Sequence, residues 1–153
     1  WIIMLPVAFM AFADGRLAGV STLAFAPFVL AFLGGLTLET AADAQKFAFK
    51  KKEENAGRFM STGVWRYSRH PNYLGEIIVW WSIALPGVFA FDGWEWLGFL
   101  GPLHITLLLL FVSGIPLLEK SADKKWGADE AYLRYKAETP LLMPNPFGRK
   151  RHS

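Results

Sequence analysis

Twenty-two consecutive residues, Leu17 to Leu38, carry no charge, and that run limits the folds open to this chain more than any other feature. A helix of this length crosses the ~30 Å hydrocarbon core of a bilayer with some tilt. Gly19, Ser21, Ala24, Ala31, Gly34 and Gly35 are scattered along it, and small residues of this kind let helices approach closely in lipid. Residues 1–13 are equally apolar but too short to cross, so they read as the partial end of a span. Asn72 to Phe91 and Leu97 to Leu118 supply two further stretches of spanning length. At 53% hydrophobic and 19% charged residues, the chain is too apolar for an ordinary soluble domain. The expectation is an all-α, polytopic transmembrane helical bundle, a single membrane domain over residues 1–153. The chain opens on Trp1 inside an apolar run, with no charged leader before it. It is therefore expected to be the C-terminal part of a longer chain.

The cations divide the loops into two kinds. The turn at 14–16 carries one Lys or Arg and the loop at 92–96 none, whereas residues 39–71 carry seven and residues 119–153 carry eight. The positive-inside rule puts 39–71 and 119–153 together on the cytoplasmic side of an integral, multi-pass protein. Glu39 to Arg58 reads as a helix continuing out of the membrane until Asn55-Ala56-Gly57 ends it. Along it, Glu39 and Asp43 share a face, which Lys46 and Lys50 roughly continue. For Lys50 to Glu54 a solvated, ion-paired helix suffices. Glu39 and Asp43 sit where the helix leaves the apolar layer, and could equally bond ribose hydroxyls or amides, or orient Arg66 and Arg69. The tail looks helical from Glu119 to about Glu138. Its basic end, Arg149-Lys150-Arg151, reads as a contact with anionic membrane lipids.

The chemistry concentrates in Thr62 to Glu76, TGVWRYSRHPNYLGE, at the mouth of an apolar segment. A collar that snorkels to headgroups needs only Lys and Arg. It does not need His-Pro-Asn-Tyr, nor Glu76 one turn inside the helix that Pro71 is suited to start. Arg58, Arg66 and Arg69 can make paired, charge-assisted hydrogen bonds to phosphates. Asn72 suits a carboxamide, and Tyr67 and Tyr73 offer flat faces with hydroxyl handles. A large, anionic, partly aromatic ligand, a nucleotide cofactor above all, fits this set. Zero Cys removes thiolate nucleophiles and Cys-ligated metals. His104 has no second ligand nearby for a metal and reads as an interhelical hydrogen-bonding residue. No GxGxxG, GxxxxGK[ST] or G-x-S-x-G pattern is present, and cations beside membrane spans do not suit nucleic acid.

The stretch Thr62 to Glu76 resembles the signature of the steroid 5-alpha-reductase-like membrane proteins. Glu39-x-x-x-Asp43-x-Gln45-Lys46 upstream, and Glu119-Lys120, Tyr132, Tyr135, Thr139-Pro140 and Pro144 downstream, are similar to the same pattern. The RHPxY-x-G element also occurs in isoprenylcysteine carboxyl methyltransferases; Asp43-x-Gln45-Lys46 and Asn72 favour the reductase branch. The resemblance implies a fold of about seven transmembrane helices, of which these are the C-terminal ones. It implies a cofactor, NADPH, used to reduce a conjugated carbon–carbon double bond in a steroid-like or other lipid. By motif position, Asp43, Arg58, Arg66, Arg69, His70, Asn72, Tyr73, Glu76 and Tyr135 would line the cofactor pocket, with Asn72 on the nicotinamide carboxamide and the arginines on the phosphates. The family's substrate-polarising acids lie in an N-terminal half that nothing here matches. Glu39 stands where the steroid enzymes tend to carry Asn. Two other readings remain: an S-adenosylmethionine-dependent lipid or prenyl-protein methyltransferase, which needs fewer phosphate-binding arginines, and a non-catalytic membrane scaffold.

Overall fold

A computed structural model describes residues 2–11 and 15–143. The basic end at 149–151 and Pro144 lie outside the described residues. Among these there is no strand; every regular element is helical. Two helical runs are long and apolar enough to cross a membrane, Thr22–Lys51 and Gly93–Trp126.

The first run is one 3₁₀ turn, Thr22–Phe25, followed by α2, Ala26–Lys51. The charge-free stretch was expected to be helical from Leu17. Residues 15–20 instead form turns, and Ser21 accepts the backbone N–H of Leu23 through its side chain to begin the helix. Pro27 in the first turn suits that start. α2 ends at Lys51, four residues before the expected stop, and Gly57 takes a left-handed φ of 79° in the loop beyond. A short helix α1, Leu5–Ala11, precedes this run.

α3, Pro71–Ala84, packs along α2, and this contact is the backbone of the fold. Two glycines permit it. A Cβ on Gly75 would lie 2.6 Å from the Gly35 carbonyl oxygen and 2.7 Å from the Glu39 nitrogen, and one on Gly35 would lie 2.8 Å from the Gly75 oxygen. Both neighbours are main chain, which cannot move aside as a side chain could. After Ala84, Pro86 lies in a 3₁₀ segment, Leu85–Phe89, so the expected span 72–91 is α-helical only in its first part.

The stretch 97–118 is not one uninterrupted helix. It begins earlier, at a 3₁₀ segment Gly93–Phe99, because Asp92 and Glu95 form a reciprocal capping box. α4, Leu100–Leu107, passes into a π-helical turn, Leu108–Val112, and breaks at Ser113-Gly114. Pro116 explains the break: it lacks an N–H and its ring would strike the preceding turn of a continuous helix. α5, Ile115–Trp126, restarts with that proline in its first turn, and α6, Glu130–Glu138, follows after Gly127, with Asp129 capping its first turn. The tail is therefore a hairpin of two helices.

Polar groups on the apolar helices are satisfied locally. Thr37, Ser82 and Thr106 hydroxyls donate to carbonyls four residues earlier, and the Trp81 indole donates to Thr106 across α3 and α4 at 3.1 Å. His104, expected between helices, is instead exposed on α4. At the end of the molecule away from the basic loops, Arg16 forks onto Glu95 at 2.6 and 2.8 Å. Phe9, Phe91, Trp94, Trp96 and Phe99 cluster there, mostly edge to face.

Candidate functional site

The other end is built differently. The segment Glu53 to His70 crosses the end of α2 without an α-helix, and it is shaped by one indole. Trp65, 4% exposed, donates from Nε1 to the Ala42 carbonyl at 3.0 Å and carries the Lys46 ammonium over its ring at 4.4 Å. It sits in a 3₁₀ turn, Gly63–Arg66, opened by Gly63 at a left-handed φ of 61°. The Gln45 side chain accepts the Val64 N–H at 2.9 Å and fills the space a Gly63 side chain would need.

The α5–α6 hairpin straps across this segment. Trp126 Nε1 donates to the Gly57 carbonyl at 2.5 Å, Tyr135 Oη to the Trp65 carbonyl at 2.7 Å, and the Arg69 N–H to the Pro140 carbonyl at 3.0 Å. The strap's main ionic contact is made by Glu119, on α5. Its carboxylate accepts from Arg69 Nη1, pairs with His70 Nε2 at 2.8 Å, and lies 3.5 Å from Lys136 Nζ. Lys136 also binds Asp123 at 2.5 and 2.8 Å, and Tyr132 Oη donates to Asp123 at 2.9 Å. These bonds tie α5 and α6 into one unit.

Between segment and strap lies a cavity of about 250 Å³. Lys46, Lys50, Arg58 and Arg69 furnish cations; Phe59, Trp65, Trp126, Tyr132 and Tyr135 furnish aromatic faces; Glu119 lines the strap side. Phe59 stands against Trp126, Tyr132 and Tyr135 at centroid distances of 6.2, 5.4 and 5.5 Å. Burial holds His70 below its ordinary value, although its bond to Glu119 works the other way. Burial also raises the Tyr132 and Tyr135 phenols, so both stay protonated donors.

Of the nine residues singled out from the sequence, Arg58, Arg69, His70 and Tyr135 line this cavity. Asp43, Tyr73 and Glu76 form a second group with Glu39, within electrostatic reach of one another where α2 faces α3. Tyr73 stacks on His70, centroids 5.8 Å apart and planes 11° apart, and so joins the two groups. Arg66 is exposed and lies over the Tyr67 ring at 4.6 Å, because its neighbour Trp65 takes the inward direction of the turn. Asn72 follows Pro71 at the start of α3. Trp126, Lys136 and Phe59 were not singled out, and Glu119 was noted only in the family pattern, with no place in the pocket. The Glu119-Lys120 pair at the start of the basic tail was the available signal for Glu119.

One feature of 69–72 points to a ligand. Among the described residues, Arg69 Nε, His70 Nδ1 and Asn72 Oδ1 are buried without a hydrogen-bond partner. A buried unsatisfied polar group costs roughly 1–3 kcal/mol, and three in four residues are unusual outside sites that bind something. With the nearby cations and aromatic faces, the chemistry of this donor and acceptor set, though not the present volume of the cavity, suits a phosphate-bearing ligand with aromatic bases. Arg58, Lys46 and Lys50 would meet its phosphates, the aromatic rings its bases, and Asn72 an amide. No group of three or more metal-ligating side chains occurs among the described residues.

Residues 1–139 match the model of a family described as proteins of unknown function, DUF1295. The chain belongs to that family. It is also similar to an uncharacterized protein of Schizosaccharomyces pombe, C594.04c, at 33% identity over 91 residues. That match covers 55% of this chain and 24% of the yeast protein, so the chain spans about a quarter of the length of that curated relative. No solved structure matches this DUF1295 member.

Proposed function

We propose that this DUF1295 protein is the cofactor-binding part of a membrane-embedded, NADPH-dependent reductase of a conjugated carbon–carbon double bond in a steroid-like or other lipid. The observation that carries the reading is the cavity between segment and strap: it is lined by Lys46, Lys50, Arg58 and Arg69 and by aromatic faces, and Arg69 and His70 in its lining, with Asn72 two residues on, carry unpartnered polar atoms. When bound, NADPH supplies the hydride; the protein supplies position and electrostatics. Arg58, Lys46 and Lys50 hold the phosphates. Tyr73 and the Glu39, Asp43 and Glu76 group lead from the cavity along the α2–α3 contact toward the apolar layer, where a lipid would enter laterally. The likeness of Thr62 to Glu76 to the steroid 5-alpha-reductase-like proteins supports the same reading. In it, residues 39–71 and 119–153 face the cytoplasm, further helices complete a bundle of about seven, and the substrate-polarising acid comes from those helices.

One observation favours a second reading. A cavity of about 250 Å³ is small beside the roughly 300–1,000 Å³ of pockets for drug-sized ligands, and S-adenosylmethionine is smaller than a dinucleotide. Thermal unfolding of the detergent-purified protein with NADPH, NADH or S-adenosylmethionine separates them. A ligand at 100 times its dissociation constant adds about 2.7 kcal/mol. Stabilisation by NADPH, lost in Arg58→Ala and Asn72→Ala, is the expected result. Stabilisation by S-adenosylmethionine alone supports a methyltransferase, and a folded protein that answers to none of the three supports a scaffold.

A further inference from the structure

Glu119 is in an unusual position for a structural carboxylate. Three nitrogen groups from two separate parts of the fold converge on it: Arg69 and His70 from the central segment, and Lys136 from α6. Its side chain is 19% exposed and Arg69's is 15%, so the cluster is largely withdrawn from water. Guanidinium, ammonium and imidazole N–H groups aimed at one point are what a phosphate oxygen requires. The same carboxylate forms part of the cavity lining.

We propose that Arg69 and His70 form an anion seat occupied at rest by Glu119, and that a phosphate-bearing ligand binds by displacing this carboxylate and lifting the α5–α6 strap, which carries Glu119 and Lys136 away together. The inference deepens the reading above and rests on it only for the identity of the ligand. Three observations support displacement over simple addition. First, the cavity is too small for a dinucleotide while the strap is down. Second, the buried, unpartnered atoms Arg69 Nε, His70 Nδ1 and Asn72 Oδ1 lie where a ligand reaches them only if something moves. Third, the strap can move as a body. Its two helices are tied to each other through Asp123, Lys136 and Tyr132, and it joins α4 through the helix break at Ser113-Gly114. Its ties to the central segment run through side chains, Glu119, Trp126, Tyr132 and Tyr135, and through the Pro140 and Leu141 carbonyls.

Displacement predicts the sign of a substitution. If Glu119 competes with the ligand, Glu119→Gln removes a negative charge from the seat and anions bind more tightly. If Glu119 merely positions Arg69 and His70, the same change weakens binding. The chain has no Cys, so cysteines at the exposed positions Ala44 and Lys124, neither of them in the cavity lining, can carry spin labels on α2 and on the strap. The test is calorimetry and label-to-label distance on the whole protein in nanodiscs, with inorganic pyrophosphate, with NADPH, and with phosphatidic acid in the bilayer against phosphatidylcholine alone. The expected result is at least tenfold tighter pyrophosphate binding in Glu119→Gln and a longer distance when the anion binds. Opening by phosphatidic acid without soluble anion makes a lipid headgroup the source of the phosphate and leaves the seat standing. Tighter pyrophosphate binding with no binding of NADPH keeps the seat and overturns the reductase reading. Unchanged or weaker pyrophosphate binding in Glu119→Gln overturns the seat. Should that variant fail to fold, the labelled protein with Glu119 intact decides: pyrophosphate bound with no change in distance overturns the proposal.

Discussion

The α2–α3 crossing and the α5–α6 strap are both helix-on-protein contacts, and they are held by opposite means. At the crossing, Gly35 and Gly75 bring main chain against main chain, with no room for a single methyl group. At the strap, long side chains reach across: Arg69 and His70 to Glu119, Trp126 to the Gly57 carbonyl, Tyr135 to the Trp65 carbonyl. Shape complementarity of the first kind is rigid, because packed interiors do not deform continuously. Charge and hydrogen bonds of the second kind can be exchanged for those of a ligand. The difference divides the molecule into a frame and a closure, and the candidate site lies where the two meet.

Four substitutions or conditions would break or sharpen that division. The largest effect belongs to the frame: Gly75→Val puts atoms where the Gly35 oxygen and Glu39 nitrogen already are. It should destabilise the protein by about 3 kcal/mol, the upper part of the overpacking range, seen as loss of the folded fraction in detergent-resistance or denaturant titration. Next, Arg69→Ala leaves Glu119 with a weakened partner set. It should cost about 2 kcal/mol in the same titration, since the pair is mostly but not wholly buried, and it should abolish stabilisation by NADPH. An equal loss with ligand stabilisation retained would move the site away from the strap.

The third is a pH dependence. Burial holds the folded His70 below the ordinary histidine value of about 6.5, so on acidification the unfolded chain takes up the proton first. Stability should be level above about pH 7.5, fall as pH drops through 6.5, and level off once the folded ring protonates. The melting temperature of His70→Asn should fall less over the same interval. The smallest effect is a control on the frame. Gly34 is one residue from Gly35, yet a Cβ there meets nothing within 4 Å. Gly34→Ala should therefore be neutral or stabilising by about 0.5–1 kcal/mol from helix propensity, in the same denaturant titration.

Much of the frame was legible in the residues. Runs without charge and a proline-led start at Pro71 mark helices because lipid and helix geometry leave few alternatives. The ends were less so: Ser21 starts the first run later than charge alone suggests, and the Asp92–Glu95 box starts the last one earlier, since side-chain caps decide the boundary. Pro116 was visible, but the turn of helix it breaks depends on the packing around Gly114. Within the site, the order of residues in TGVWRYSRHPNYLGE marked the right segment without saying which side chains turn inward. Trp65 takes the interior and so sends Arg66 out. Glu119-Lys120 was visible in the family pattern, but the part Glu119 plays was hidden for a different reason. Its role exists only once a strap fifty residues downstream is laid over Arg69, and no local pattern carries that pairing.

Hydrogen exchange by mass spectrometry, with and without NADPH, tests the central claim most directly, that the cavity between segment and strap is the cofactor site. The account predicts that NADPH slows exchange in residues 46–70 and changes it in 115–138, while 85–97 at the opposite end is untouched. Protection confined to the opposite end, or none anywhere in a folded protein at saturating cofactor, would contradict it.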